Sequence, residues 1–210
     1  MATSALFQGL ILGLGMIIPI GAQNSYILSQ GIKRNHHFLA ATICMLCDVL
    51  LIGLGIFGGG KLIASSEWLM LLIGWGGVTF LVVYAVLSFK SVWRNQYLVT
   101  THIAAANNRK TIIGTTFAVT LLNPHVYLDT VMILGSVGGT FDGNEKWAFA
   151  IGTMLASILW FYTIAFGAAK LAPWLGTPKV QRVIDALVGT IMLFIAYSVF
   201  NTLSIISIIE

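Results

Sequence analysis

The chain has 210 residues, of which 58% are hydrophobic and only 9% are charged. One soluble core of this length cannot bury so much apolar surface, so the composition excludes an ordinary soluble domain and indicates a membrane protein. The formal charge of +4 does not indicate a nucleic-acid partner, because the basic residues lie in separate polar connectors rather than on one face.

Six apolar stretches are long enough to cross a bilayer as helices of roughly 20 residues. Their predicted bounds are Leu6–Leu28, Phe38–Gly60, Trp68–Phe89, Thr111–Gly138, Trp147–Leu171 and Ile184–Ile206. Backbone groups in hydrocarbon must find their hydrogen bonds within the segment, which a helix provides. The sequence therefore predicts an all-α integral membrane protein of about six transmembrane helices, surrounded by membrane lipid, with a single transmembrane domain over residues 1–210.

The first stretch is interrupted inside its apolar core by Pro19 and Gly21, which are followed by Gln23 and Asn24. A proline within a spanning helix removes one backbone hydrogen bond and clashes with the preceding turn. We therefore expect a broken helix whose freed backbone groups can bind a solute. No basic residue precedes this stretch, so we also expect it to be retained rather than removed as a signal peptide.

In the second stretch, Cys44 and Cys47 form a C-x-x-C pair, and Asp48 follows near the centre of the span. This spacing occurs in redox pairs and metal sites. No second C-x-x-C or nearby histidine completes a metal set, so we expect both cysteines to pack between helices. A membrane thiol carrier is the alternative interpretation.

The longest polar connector follows the third stretch, and we interpret it as a cytoplasmic linker between two halves. The first half, the linker and the second half cover about residues 1–90, 90–110 and 111–210. Three crossings in each half would give the halves opposite orientations, as in transporters built from inverted repeats. The spacing agrees, because Pro19 and Pro124 are 105 residues apart, as are Asn24 and Asp129.

Nine of the eleven lysines and arginines lie in the connectors after the first, third and fifth stretches. They are Lys33, Arg34, Lys90, Arg94, Arg109, Lys110, Lys170, Lys179 and Arg182. With six spans, the positive-inside rule places these three connectors in the cytoplasm and therefore both termini outside. Five spans are the alternative, and they would not fit this assignment.

The fourth stretch contains a second break, because Asn123 followed by Pro124 is typical of a helix N-cap and first helical residue. A half-helix would then begin in mid-membrane with the positive end of its dipole. Paired interruptions of this kind indicate the substrate site of a transporter. The predicted site residues are Gln23, Asn24, Asp48, Asn123, Pro124, His125 and Asp129, with Pro19, Gly21 and Pro124 as the helix breaks.

Asp48 and Asp129 are the two acids predicted to lie inside the membrane, where a charge is costly unless it has a partner or a cavity. The other acids are expected to be solvated at span ends or in connectors: Glu67, Asp142, Glu145, Asp185 and Glu210. No lysine or arginine lies at matching depth, and His125 alone cannot neutralise two carboxylates. The two aspartates can bind protons or a cationic ligand, which suits exchange of a cationic substrate for protons. Two protonated aspartates that only link helices are the structural alternative.

Closely spaced glycines, among them Gly9 and Gly13, allow helices to approach each other. We expect packing within one bundle, and a homodimer face is the alternative.

Several of these segments together resemble the LysE family of amino-acid exporters, over nearly the whole chain. They are Pro19-Ile20-Gly21-Ala22-Gln23-Asn24, Gln30-Gly31-Ile32, Asp48 with Gly55-Ile56-Phe57-Gly58-Gly59, Asn123-Pro124-His125-Val126-Tyr127-Leu128-Asp129-Thr130, and Leu134-Gly135-Ser136-Val137-Gly138-Gly139. The family usually has a second proline where this chain has Ala22.

The resemblance implies a transporter, not an enzyme, that exports arginine across the bacterial inner membrane without a cofactor. Lysine and canavanine are further substrates that it implies. Two other classes are weighed against it. A metal-cation exporter would use Asp48, Asp129 and His125, and a thiol and disulfide electron carrier would use Cys44 and Cys47.

Overall fold

The computed structural model describes residues 2–19, 21–58, 67–93, 109–175 and 177–209, and this part of the chain contains helices and no strand. The helices are α1 (Ala2–Ile17), α2 (Ala22–Ile32), α3 (His37–Ile56), α4 (Glu67–Trp93), α5 (Arg109–Leu121), α6, α7 (Gly143–Leu175) and α8 (Pro178–Ile209). Helix α6 has three consecutive parts, the α-helical Pro124–Tyr127, the π-helical Leu128–Ile133 and the α-helical Leu134–Gly138.

Four of these helices, α3, α4, α7 and α8, are long and apolar enough to cross a membrane by themselves. The other crossings are bent pairs, since α1 and α2 meet at 77° and α5 and α6 meet at 61°. The described residues therefore provide up to six spans if each bent pair counts as one. The prediction of an all-α membrane protein with broken first and fourth spans is confirmed.

The predicted helix ends differ from the observed ends by a few residues. Helix α3 ends at Ile56, earlier than expected, because Gly58 has a φ of +98°, a left-handed conformation that commonly terminates helices. The predicted end at Gly60 lies outside the described residues. Helices α7 and α8 are 33 and 32 residues long, since each continues beyond its apolar stretch into polar residues that water can solvate.

The order of elements occurs twice along the chain. A bent pair is followed by two long helices in the first half, α1 to α4, and again in the second half, α5 to α8. The breaks, at residues 18–21 and 122–123, agree with the 105-residue spacing of Pro19 and Pro124. If each bent pair crosses once, three crossings per half give the two halves opposite orientations in the membrane.

Glycines bring the two halves into close contact. Helix α1 packs along α7, and a Cβ on Gly9 would clash with the backbone of Phe149. A Cβ on Gly55 of α3 would lie 2.7 Å from the Thr130 carbonyl oxygen and 2.8 Å from the Cα of Val131, both in α6. These glycines allow helix backbones to touch inside the bundle, as expected from their spacing. A homodimer face stays a prediction.

Asp185 departs from its prediction. It was expected to be solvated at the start of the last span, but only 4% of it is exposed. Its Oδ1 lies 3.0 Å from Lys33 Nζ, and its Oδ2 accepts a hydrogen bond from Ser91 Oγ at 3.0 Å. The expectation of solvation is wrong because the ends of α2 and α4 pack against the first turns of α8 and cover this carboxylate.

Arg34, the neighbour of Lys33, compensates for a proline in α7. Pro173 has no N–H to offer the carbonyl of Ala169 four residues earlier. Arg34 Nε donates to that carbonyl oxygen at 3.2 Å. The connector between α2 and α3 is thereby tied to the end of α7, with Arg34 in a left-handed conformation at φ 48°.

Candidate functional site

One cavity of about 480 Å³ lies between the two helix breaks. Its volume is within the range of about 300–1,000 Å³ that is typical of small-molecule sites. Eight of the residues predicted from the sequence line it: Pro19, Gly21, Gln23, Asn24, Asp48, Asn123, His125 and Asp129. Pro124 begins α6 between two of these lining residues. The structure thus brings both breaks and both intramembrane aspartates to one place.

The first break is held together by Asn24 in the first turn of α2. Its Nδ2 donates to the carbonyl oxygens of Ile17 at 2.7 Å and Pro19 at 2.9 Å, while its Oδ1 accepts from Trp160 Nε1 at 3.3 Å. The carbonyls at the end of α1 are therefore satisfied within the protein. The amide of Asn24 serves as an internal brace for the bend and is already engaged.

The second break is capped as the sequence predicted. Asn123 Oδ1 accepts from the backbone N–H of His125 at 3.2 Å, the usual bond of an N-cap residue. Pro124 cannot donate to Thr120, and the Thr120 carbonyl instead accepts from the Asn123 N–H at 3.4 Å. The Tyr127 hydroxyl donates to the Leu121 carbonyl at 2.8 Å, so the end of α5 is also satisfied.

Asp48 is buried with 2% of its surface exposed and is held by neutral donors. Gln23 Nε2 lies 3.4 Å from its Oδ1, and Ser157 Oγ lies 3.2 Å from its Oδ2. Gln23 Nε2 also lies 3.3 Å from Thr120 Oγ1. One side chain of α2 therefore connects the aspartate of α3 with the helix that precedes the second break.

Asp129 has a different environment from Asp48. It is only partly buried and lies in the π-helical turn of α6, a type of turn that often occurs at functional sites. No hydrogen bond or ion pair from another described residue reaches its carboxylate. Asp129 lines the same cavity as Asp48 and the exposed His125. The two carboxylates thus face one cavity, one enclosed and one accessible.

No lysine or arginine occurs among the described residues that line the cavity. The ion pair found in the described part of the chain joins Lys33 to Asp185, outside this cavity. The remaining walls are mostly apolar side chains of α1, α6 and α8, including Ile17, Leu134 and Phe194, together with Thr130 and Thr190. A site with two carboxylates, amide donors and apolar walls suits a small organic cation.

Three residues near the site were missed by sequence reasoning. Ser157 and Trp160, on α7, hold Asp48 and Asn24, and Thr120 receives Gln23. Ser157 and Thr120 are small polar residues inside apolar stretches, a weak signal because such side chains usually bond to their own helix. Their distance along the chain from Asp48 and Gln23 gave no reason to connect them.

Cys44 and Cys47 are both free and buried. The Cys44 sulfur lies 3.4 Å from Thr120 Oγ1 within a core of alanines and aromatic residues. The described residues contain no group of three His, Cys, Asp or Glu side chains placed to hold a metal ion. This environment is the helix packing that the sequence predicted for the two cysteines.

The fold and the site together define a membrane transport protein with a cavity between two broken helices. Residues 14–202 match the family model described as LysE type translocator, and the chain therefore belongs to that family.

Named relatives cover nearly the same length. The chain is 53% identical over 90% of its length to an Aeromonas salmonicida protein provisionally named amino-acid transporter YggA, of which it covers 92%. It is 49% identical over 91% of its length to the arginine exporter protein ArgO of Enterobacter sp. (strain 638), covering 90% of that protein. It is 48% identical over 90% of its length to the arginine exporter protein ArgO of Escherichia coli (strain K12), and it covers 90% of that protein. No solved structure matches this chain.

Proposed function

We propose that this protein exports L-arginine across the bacterial inner membrane in exchange for protons, with lysine and canavanine as further substrates. The observation that carries the proposal is the central cavity, the one between the two helix breaks, which combines Asp48 and Asp129 with no lysine or arginine among its described lining residues. The relatives named as arginine exporters support the choice of substrate.

Asp129 is the acid assigned to the guanidinium or ammonium group of the substrate. Its carboxylate is accessible from the cavity and receives no hydrogen bond from the described residues, so it can accept a bidentate guanidinium. The apolar walls formed by Ile17 and Phe194 suit the methylene stem of arginine or lysine. They also exclude water, which strengthens the ionic contact.

The substrate carboxylate is assigned to the N-terminal end of α6. The backbone amide of His125 at this end is already bonded to Asn123 Oδ1 and is therefore not available to the substrate. The side chains of Asn123 and His125, which both line the cavity, are the donors that we now propose. The positive end of the helix dipole adds to their attraction for an anion.

Asp48 is the acid assigned to proton coupling. Its neutral hydrogen-bond donors, Gln23 and Ser157, can accommodate it with or without a proton, because a hydroxyl or an amide can adjust to either state. Moving one positive charge outward against an inside-negative potential costs about 2.3 kcal/mol per 100 mV. Inward movement of one proton per arginine cancels that electrical cost.

Flux of labelled arginine in proteoliposomes tests the proposal. The purified protein should move arginine uphill against its gradient when an opposing pH gradient is imposed, and protein-free liposomes should not. Citrulline, which resembles arginine without its positive charge, is the matched control and should be transported poorly. Movement of manganese or cadmium without movement of arginine would show that the cargo is a metal cation instead.

A further inference from the structure

A second, smaller cavity of about 200 Å³ lies at one end of the bundle, between α2, α4, α5 and α8. Its lining joins the two halves, because α2 and α4 belong to the first half and α5 and α8 to the second. Its walls carry the polar side chains of Gln30, Ser88, Ser91, Thr111 and Thr115 beside apolar and aromatic ones. These polar groups can form hydrogen bonds with a polar occupant.

Among the described residues that line this cavity, Lys33 and Asp185 are charged. The carboxylate is enclosed, with 5% of the side chain exposed, whereas 36% of the Lys33 side chain is exposed. The cation is thus the partner that can move into water. A partly exposed ion pair contributes little net stability, because solvent screening and the ordering of the side chains offset the attraction between the charges. Stability alone therefore explains this pair poorly.

One face of α2 links the two cavities. Gln23, Tyr26, Gln30 and Lys33 follow one another at intervals of three and four residues, which places them on one side of the helix over about 15 Å. Gln23 contacts Asp48 at one end of this face, and Lys33 contacts Asp185 at the other. Each end of the polar face thus holds a buried carboxylate.

Tyr26 separates the cavities along this face. It is 2% exposed and packs edge-on against Tyr84, with ring centroids 6.0 Å apart. Both rings line the smaller cavity, whereas Gln23 and Asn24 line the larger one. Movement of a substrate along this face from Asp185 to Asp48 would require a shift of this tyrosine pair.

We propose that the cavity around Asp185 is a transit site for the cationic group of the substrate, in which Lys33 holds the place of that group when no substrate is present. The inference rests on the proposed function, because it takes the cargo to be a guanidinium or ammonium compound. The cavity is below the roughly 300 Å³ of ordinary small-molecule sites, so it receives the cationic end of the amino acid rather than all of it. The substrate competes with Lys33 for Asp185 and then moves along α2 to the central cavity.

Binding and transport of labelled arginine by three variants test this site. Lys33→Gln keeps the Asp185 carboxylate and removes the ammonium group that competes with the substrate for it. This variant should therefore bind two arginines per protein in nanodiscs, where the wild type binds one. Lys33→Gln/Asp185→Asn removes both charges and should again bind one arginine, with affinity within threefold of wild type. Its initial transport rate at low arginine concentration should nevertheless fall at least tenfold. Asp185→Asn should be equally slow.

A purely structural ion pair gives the opposite pattern. Neutralising both partners would then restore wild-type transport, and Lys33→Gln would bind one arginine; either result overturns the transit site. The double variant removes both charges of this pair, so its rate decides the matter by itself if a single variant does not fold. Failure of the wild type to bind or move arginine would instead reject the proposed function, which keeps the two failures distinct.

Discussion

Ser157 Oγ lies 3.2 Å from Asp48 Oδ2, although the two residues are 109 positions apart in the chain. This contact joins α7 of the second half to α3 of the first half at the central cavity. Asp48, which the sequence predicts to be functional, therefore has a hydrogen-bond donor on a helix of the opposite half. A movement of one half relative to the other would therefore change the environment of Asp48.

Replacing Asp48 by Asn should stop uphill export while arginine exchange across the membrane continues. Asparagine has nearly the same shape and can keep the contacts with Gln23 and Ser157, so folding should survive. It cannot gain and lose a proton, which is the role we assign to this acid. Uphill efflux and exchange of labelled arginine should be compared at equal protein amounts. Normal uphill export by this variant would exclude Asp48 as the proton carrier.

Replacing Asp129 by Asn should weaken both uphill export and exchange, by at least about 30-fold, since loss of one partner of an enclosed charge pair costs about 2–5 kcal/mol. Asp129→Glu keeps the charge and should recover part of the activity. The measurement is the concentration dependence of arginine exchange. If exchange by Asp129→Asn is half-maximal at the same arginine concentration as in the wild type, the guanidinium does not bind at this acid.

Asn24→Ala should destabilise the protein as well as impair transport. It removes both bonds to the carbonyls of Ile17 and Pro19, and loss of a hydrogen bond typically costs about 0.5–1.5 kcal/mol, or about 1–3 kcal/mol where the acceptor is left without water. Trp160→Phe is the matched control, because it removes only the bond to Asn24 Oδ1 and should cost about 1 kcal/mol. The unfolding temperature of the detergent-solubilised proteins should be highest for the wild type, lower for Trp160→Phe and lowest for Asn24→Ala. Equal stability of all three would mean that Asn24 does not brace the first break.

The variant Cys44→Ala/Cys47→Ala should transport arginine at a rate within about threefold of wild type. Both sulfurs are buried in the helix packing, and small changes of volume there are tolerated at modest cost. Transport should likewise be unaffected by oxidants. A reversible block of the wild type by an oxidant, absent from the double variant, would support thiol chemistry instead.

Reporter fusions test the predicted membrane orientation. Alkaline phosphatase fused after Asn95 should be inactive and one fused after the last helix should be active, because the basic connectors are expected to lie in the cytoplasm. A cytoplasmic reporter fused at the same two positions should give the reverse pattern and serves as the control. The opposite result at both positions would invert the orientation.

The helical class of the protein and both of its breaks follow from the sequence alone. Pro19 and Pro124 lack an N–H wherever they occur, so each interrupts its span without help from the rest of the fold. The polar side chains beside them, such as Gln23 and Asn123, then had to lie near the breaks. The shared cavity could be predicted for a second reason. Charged groups at mid-membrane depth must turn toward the bundle interior.

The partners of these residues depended on the tertiary structure. Ser157 reaches Asp48, and Lys33 reaches an Asp185 that was expected to be solvated, because α7 and α8 pack against helices far away in sequence. Residue types do not specify how helices cross, and a hydrogen bond between two helices requires the donor and the acceptor to meet within about 3 Å. Helix breaks can thus be predicted from the local sequence, whereas contacts between helices depend on the packing of the whole bundle.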